Sequence, residues 1–100
     1  MTGATAPGRL GPDARPTLPR GVRVAQDRVR GGSVLLAPER ALRLDETGRA
    51  VLAEIDGRRT LGEIAETLAA RYDAPADRVL ADADRFLSAL WARRMLDLAP

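Results

Sequence analysis

From Val22 the chain alternates apolar and polar positions, Val22-Arg23-Val24, with Val29 following. Such alternation is the mark of a strand with one buried face. Gly31-Gly32 then predicts a hairpin turn, because only glycine takes positive φ without steric cost. Val34-Leu35-Leu36-Ala37 reads as a second strand, Pro38-Glu39 as a turn and Ala41-Leu42-Arg43-Leu44 as a third strand. Leu42 and Leu44 are expected on one side of it, Ala41 and Arg43 on the other.

Beyond Leu44 the apolar period changes from about 2 to about 3.6 residues. Asp45 suits an N-cap with Glu46 in the first turn, Val51, Leu52 and Ile55 form the stripe of a first helix, and Gly57 is expected to close it. Thr60 and Glu63 have capping-box spacing. The face Leu61, Ile64, Ala65, Leu68, Ala69 and Tyr72 is then expected to be buried in a second helix, which Asp73-Ala74-Pro75 ends. A third helix runs from about Ala76 to Arg93 or Arg94, with Val79, Leu80, Ala83, Phe86, Leu87, Leu90 and Trp91 on one wide face and the arginines at its C-terminal end. Met95-Leu96-Asp97-Leu98 alternates as a short closing strand.

The fold class expected is α+β: a winged helix-turn-helix-like domain, a three-stranded antiparallel meander followed by three helices. Residues 20–98 make that domain. Residues 1–19, interrupted by Pro7, Pro12, Pro16 and Pro19 and by Gly3, Gly8 and Gly11, are expected to form a disordered tail.

Composition narrows the chemistry. There is no cysteine and no histidine, which excludes thiolate nucleophiles, disulfides and the commonest general base and metal ligand. Catalysis would rest on Asp, Glu, Arg, Tyr72 or a hydroxyl, and no spacing suggests a carboxylate metal site, so no catalytic residue, metal or cofactor is expected. No run approaches the ~20 apolar residues of a membrane span, and the N-terminus lacks the apolar core of a signal peptide; a cytoplasmic protein is expected. All basic side chains are arginine; residues 1–44 carry eight against three acids, and residues 45–100 eight against eleven. The surface is therefore expected to be polarised.

Each candidate group has a plain reading beside a functional one. Asp82 and Asp84, at i and i+2 on a helix, point apart and are expected to be solvated surface carboxylates. Arg58-Arg59 reads as a solvated loop, and Phe86 and Trp91 as core. A helix-turn-helix admits DNA binding, but Asp77, Asp82 and Asp84 against Arg78 and Arg85, with Glu63 and Glu66 on the preceding helix, would be repelled by phosphate. The third strand lies at an edge of the meander. Arg40 and Arg43 are edge protection in one reading. In the other, an extended peptide adds a strand along Arg40, Ala41, Leu42, Arg43 and Leu44, and the third helix forms the second wall through Val79, Asp82 and Phe86. In that reading Leu42→Pro abolishes binding if the Leu42 N–H faces the open edge.

The run Val34-Leu35-Leu36-Ala37-Pro38-Glu39, then Leu44 and Gly48, then Ile55-Asp56-Gly57-Arg58-Arg59-Thr60, Ile64, Leu68, Tyr72 and Asp82 to Phe86-Leu87 and Leu90, resembles the PqqD family of pyrroloquinoline quinone (PQQ) biosynthesis over residues 18–98. The resemblance implies a winged-helix recognition element, a chaperone that binds the ribosomal precursor peptide PqqA and delivers it to the radical SAM enzyme PqqE. It implies no cofactor in the chain itself. Charge and composition lead to no nucleic acid or membrane partner being expected, and the open strand edge to a monomer or a weak homodimer through strand edges. One departure is Arg93-Arg94-Met95-Leu96, where the family commonly carries glycine after the third helix.

Overall fold

The computed structural model describes residues 9–100. Strands β1 (Arg15–Thr17), β2 (Arg23–Gln26), β3 (Ser33–Ala37) and β4 (Arg40–Leu44) precede helices α1 (Glu46–Ala53), α2 (Leu61–Tyr72) and α3 (Ala76–Ala92), and β5 (Asp97–Ala99) ends the chain. The meander β2-β3-β4 is antiparallel, as expected, with Gly31 and Gly32 both at positive φ in its first turn. Pro38 followed by Glu39 at φ 63° makes the second turn type II in character.

One face of the sheet carries Val22, Leu35, Leu42 and Leu44 onto the helices; Leu35, Leu61, Ile64, Leu87, Leu90, Met95 and Leu96 form the fully buried centre. Burying each such side chain contributes roughly 1.5–3 kcal/mol, which is why the apolar stripes set the packing. Asp45 caps α1 by accepting from Gly48 N–H at 2.7 Å, and Thr60 and Glu63 close a reciprocal capping box on α2.

The structure corrects several expectations. Of the expected tail, residues 1–8 lie outside the described residues, but residues 9–19 join the fold. β1 pairs antiparallel with β5 in a second, two-stranded sheet, and Pro16 is fully buried. The closing strand thus starts at Asp97 and pairs with this N-terminal segment, not with the meander. Ala14 and Pro12 carbonyls accept from Leu61 and Gly62 N–H, satisfying first-turn donors of α2. A three-residue strand around a proline has too little period to show in sequence. Gly57 does not end α1, which stops at Ala53; it lies in the α1–α2 turn, where Asp56 accepts from Arg58 and Arg59 N–H. Tyr72 and Trp91, both expected in the core, are 52% and 46% exposed. They stand at the margins of their helical stripes, where a short partner element does not reach.

Candidate functional site

Which backbone groups β4 leaves unpaired follows from ladder parity. Asp27 N–H donates to Gly32 C=O at 2.9 Å, so Gly32 on the incoming side of β3 faces β2. Partners in an antiparallel ladder alternate, and a central strand turns successive residues to opposite neighbours. Val34 and Leu36 therefore bond to β2, and Ser33, Leu35 and Ala37 to their partners Leu44, Leu42 and Arg40 on β4. The N–H and C=O groups of Ala41 and Arg43 are left facing the open edge. This settles the condition on Leu42: its N–H points into the ladder toward β3, so Leu42→Pro breaks the hairpin instead of probing the edge.

The edge arginines are both engaged. Arg40 donates to the Arg93 carbonyl at 2.7 Å, tying the start of β4 to the C-terminal end of α3. Arg43 donates to Asp27 at 3.2 Å and to the Gly31 carbonyl at 2.9 Å, clasping the β2–β3 turn. N–H groups of Arg30 and Val29, with Arg43 beside them, hold the Asp27 carboxyl below its usual range. Arg43 remains half exposed, so its charge is still presented to solvent.

On α3, Val79, Asp82 and Phe86 share the side turned toward α1. Phe86 lies against Gly48: a Cβ there would meet its ring at 3.0 Å, so the α1 N-terminus approaches α3 this closely because it carries glycine. Val79 and Phe86 are half-buried and pack on the core, and Asp82 is exposed. The start of β4 thus lies against the end of α3 through Arg40 and Arg93, and α1 lies against its middle through Gly48 and Phe86. A cavity of about 320 Å³ opens between α1, α2 and α3. Ala50, Val51, Leu68, Val79 and Ala83 floor it, and Glu46, Thr47, Tyr72 and Asp82 form its rim. Apolar pockets were expected near Val79 and Phe86; the cavity takes in Val79 with Asp82, and Phe86 does not line it. The signal available was Tyr72, an aromatic on a face too long for α1 to cover.

Asp84 is the group most differently placed from expectation. It is 3% exposed, on the opposite flank of α3 from Asp82, and it accepts from Leu10 N–H at 2.8 Å, Gly11 N–H at 3.1 Å and Ser88 Oγ–H at 2.8 Å. Burial pushes its carboxyl up, but these hydrogen bonds and the nearby Arg9 charge outweigh it and hold the group below its ordinary value. It is a structural anchor for the N-terminal segment. In the α1–α2 turn, Arg59 is likewise not merely solvated: it pairs with Glu54 and Asp56, and Arg71 also reaches Glu54 at 3.0 Å. Backbone N–H groups of Arg59 and Arg58 hold the Asp56 carboxyl at about 2.

Among the described residues no group of three or more acidic side chains gathers as a metal site, and no helix is long and apolar enough to cross a membrane. The exposed acids Asp77 and Asp82 on α3, with Glu63 and Glu66 on α2, leave the helix-turn-helix surface unsuited to phosphate.

Comparison with known proteins agrees with this architecture. Residues 32–96 match the family described as Coenzyme PQQ synthesis protein D (PqqD). The chain is 45% identical over 86 residues to a PqqA binding protein of Xanthomonas axonopodis pv. citri, covering 86% of this chain and 94% of that one. It is 44% identical over 81 residues to a PqqA binding protein of Rhizobium meliloti, covering 81% and 83%. The solution NMR structure of the PqqD truncation of Methylobacterium extorquens PqqCD is that of a functional, stand-alone recognition element for ribosomally synthesized and post-translationally modified peptides. It superimposes with a TM-score of 0.78 at 44% identity, covering 91% of this chain and 96% of that one. With its meander, its three helices and this match over most of its length, the chain belongs to the PqqD family of coenzyme PQQ synthesis proteins.

Proposed function

We propose that this chain is a cytoplasmic peptide chaperone of PQQ biosynthesis, not an enzyme. It binds the precursor peptide PqqA by strand addition at β4 and presents it to the radical SAM enzyme PqqE. The observation that carries the reading is the unpaired edge at Ala41 and Arg43, lying beside the face of α3 that bears Val79, Asp82 and Phe86; relatives named as PqqA binding proteins supply the peptide. An extended segment gains two pairs of backbone hydrogen bonds at that edge, with side chains alternating into the groove and out. Ordering a flexible peptide costs a few kcal/mol, which the apolar wall of Val79 and Phe86 offsets. The same edge competes for self-pairing, so peptide binding and edge-to-edge dimerisation exclude one another in this reading.

Titration calorimetry with PqqA tests it. Ala41→Pro and Arg43→Pro each delete an outward N–H and leave the β3–β4 ladder intact, as proline is tolerated on an edge. Affinity is expected to fall about tenfold or more, each lost bond being worth ~1 kcal/mol and the ring blocking close approach. Native dispersion in the amide spectrum together with wild-type affinity for both variants would falsify strand addition.

A further inference from the structure

The rim of the cavity beyond Phe86 has a sign. Glu46 and Asp82 stand on opposite helices at its mouth, Tyr72 offers the half-exposed face of an aromatic ring, and the floor is apolar. Where the start of β4 meets the end of α3 lie Arg40, Arg93 and Arg94. An extended chain laid along β4 therefore meets positive charge at one end and negative charge at the other. We propose that this cavity takes one long cationic side chain of the bound peptide, an arginine or a lysine, and thereby sets the direction in which the peptide lies.

The chemistry matches on three counts. A Lys or Arg stem covers apolar surface while its head stays at the water boundary, the division made here between the Val79–Ala83 floor and the carboxylate rim. An aromatic wall adds attraction for a cation over its face, the role available to Tyr72. The cavity lies close to the end of the strand: Glu46 follows β4 by two residues, and Asp82 and Val79 lie one and two turns before Phe86 on α3. A residue just past the last strand bond at Arg43 is the one that reaches it. Glu46 already pairs with Arg49, and Asp82 with Arg85 at 3.5 Å, but both are exposed i,i+3 pairs of the kind that are weak in water and open to sharing with a third charge. A negatively charged or short polar side chain finds no counterpart in this set.

This inference rests on the strand-addition reading, and its test separates the two. The probes are PqqA itself and PqqA peptides in which each basic residue in turn is replaced by glutamine, titrated against the full chain. Two protein variants are used: Glu46→Gln/Asp82→Asn, which removes the rim charge, and Thr47→Arg, which places a cation of the protein's own at the mouth. All three positions are exposed, so folding is preserved, and an amide spectrum verifies it. Affinity for PqqA is expected to drop about tenfold in both variants at low salt, less at high salt. One glutamine peptide is expected to bind the wild type as weakly, and to lose nothing further with the rim variant. If Ala41→Pro abolishes binding but both rim variants bind every peptide like the wild type, the cavity is not the site and strand addition stands. If Thr47→Arg weakens binding while the neutral rim does not, an apolar side chain occupies the cavity and the cationic assignment is overturned. If wild-type protein binds no PqqA, the parent reading falls and takes this one with it.

Discussion

Arg94 forms the turn that ends α3. It sits at φ 62°, with Arg94 N–H donating to Trp91 C=O at 3.0 Å and Met95 N–H to Leu90 C=O at 2.9 Å. These are the paired bonds of a Schellman C-cap, and Met95 and Leu90 are both buried in the core. The left-handed residue of that motif is usually glycine, because a Cβ there costs roughly 1–2 kcal/mol. Arg94→Gly is therefore expected to stabilise the fold by about 1 kcal/mol, read from urea midpoints at an unchanged slope. Asp84 carries the opposite lesson. Asp84→Ala leaves two N–H donors and a hydroxyl without their acceptor, for an expected loss of about 1–3 kcal/mol. Hydrogen exchange should then accelerate at Leu10 and Gly11. The folded carboxyl lies below the ordinary 3.8, so its contribution is complete above that value and is lost as pH falls through the lower folded value. Exchange at those two amides is expected to rise in that acid window in the wild type, and to be flat with pH in Asp84→Asn.

At the scale of elements, hairpin β3–β4 and helix α2 were the parts legible from sequence, for different reasons. Two-residue periodicity and the Pro38 turn set the strand register, and a one-residue slip would turn Leu42 and Leu44 out of the core. Thr60 and Glu63 mark the start of α2 by a local reciprocal pair of hydrogen bonds, at 3.1 and 2.8 Å. Thr60→Ala is expected to cost about 1 kcal/mol in thermal or chemical unfolding. Leu42→Pro belongs to this scale as well. It removes a donor from the β3–β4 ladder, and lowered stability in the absence of peptide distinguishes it from the edge variant Ala41→Pro, which should unfold near the wild-type midpoint.

At the scale of the whole molecule, the segment from Arg9 to Thr17 binds together parts that are far apart in sequence. It supplies acceptors to the first turn of α2, donors to Asp84 on α3 and a partner strand for β5, while Leu10 and Pro16 close over apolar surface. A chain beginning at Arg15 loses the Asp84 and α2 contacts together. It is expected to be less stable than Asp84→Ala in the same denaturant titration, because the α2 donors and the Leu10 surface are exposed in addition. Equal stability of the two would show that Asp84 alone carries the attachment.

Sequence patterns determined the order of the meander and helices, the two caps and the absence of a histidine or cysteine for catalysis. All of these depend on residues within a few positions of one another. Only the tertiary structure decided that Arg15–Thr17 of the expected tail form a strand, that Asp84 is buried and that Tyr72 borders a cavity with Glu46 and Asp82. Those facts come from contacts across 70 residues or more, or from where three helices fail to meet, and periodicity along one element carries no record of its neighbours. The direction of each backbone donor on β4 lies between the two. Alternation along the strand implies it, but the register with β3 and the Asp27–Gly32 bond had to be known before Ala41 and Arg43 were distinguished from Leu42.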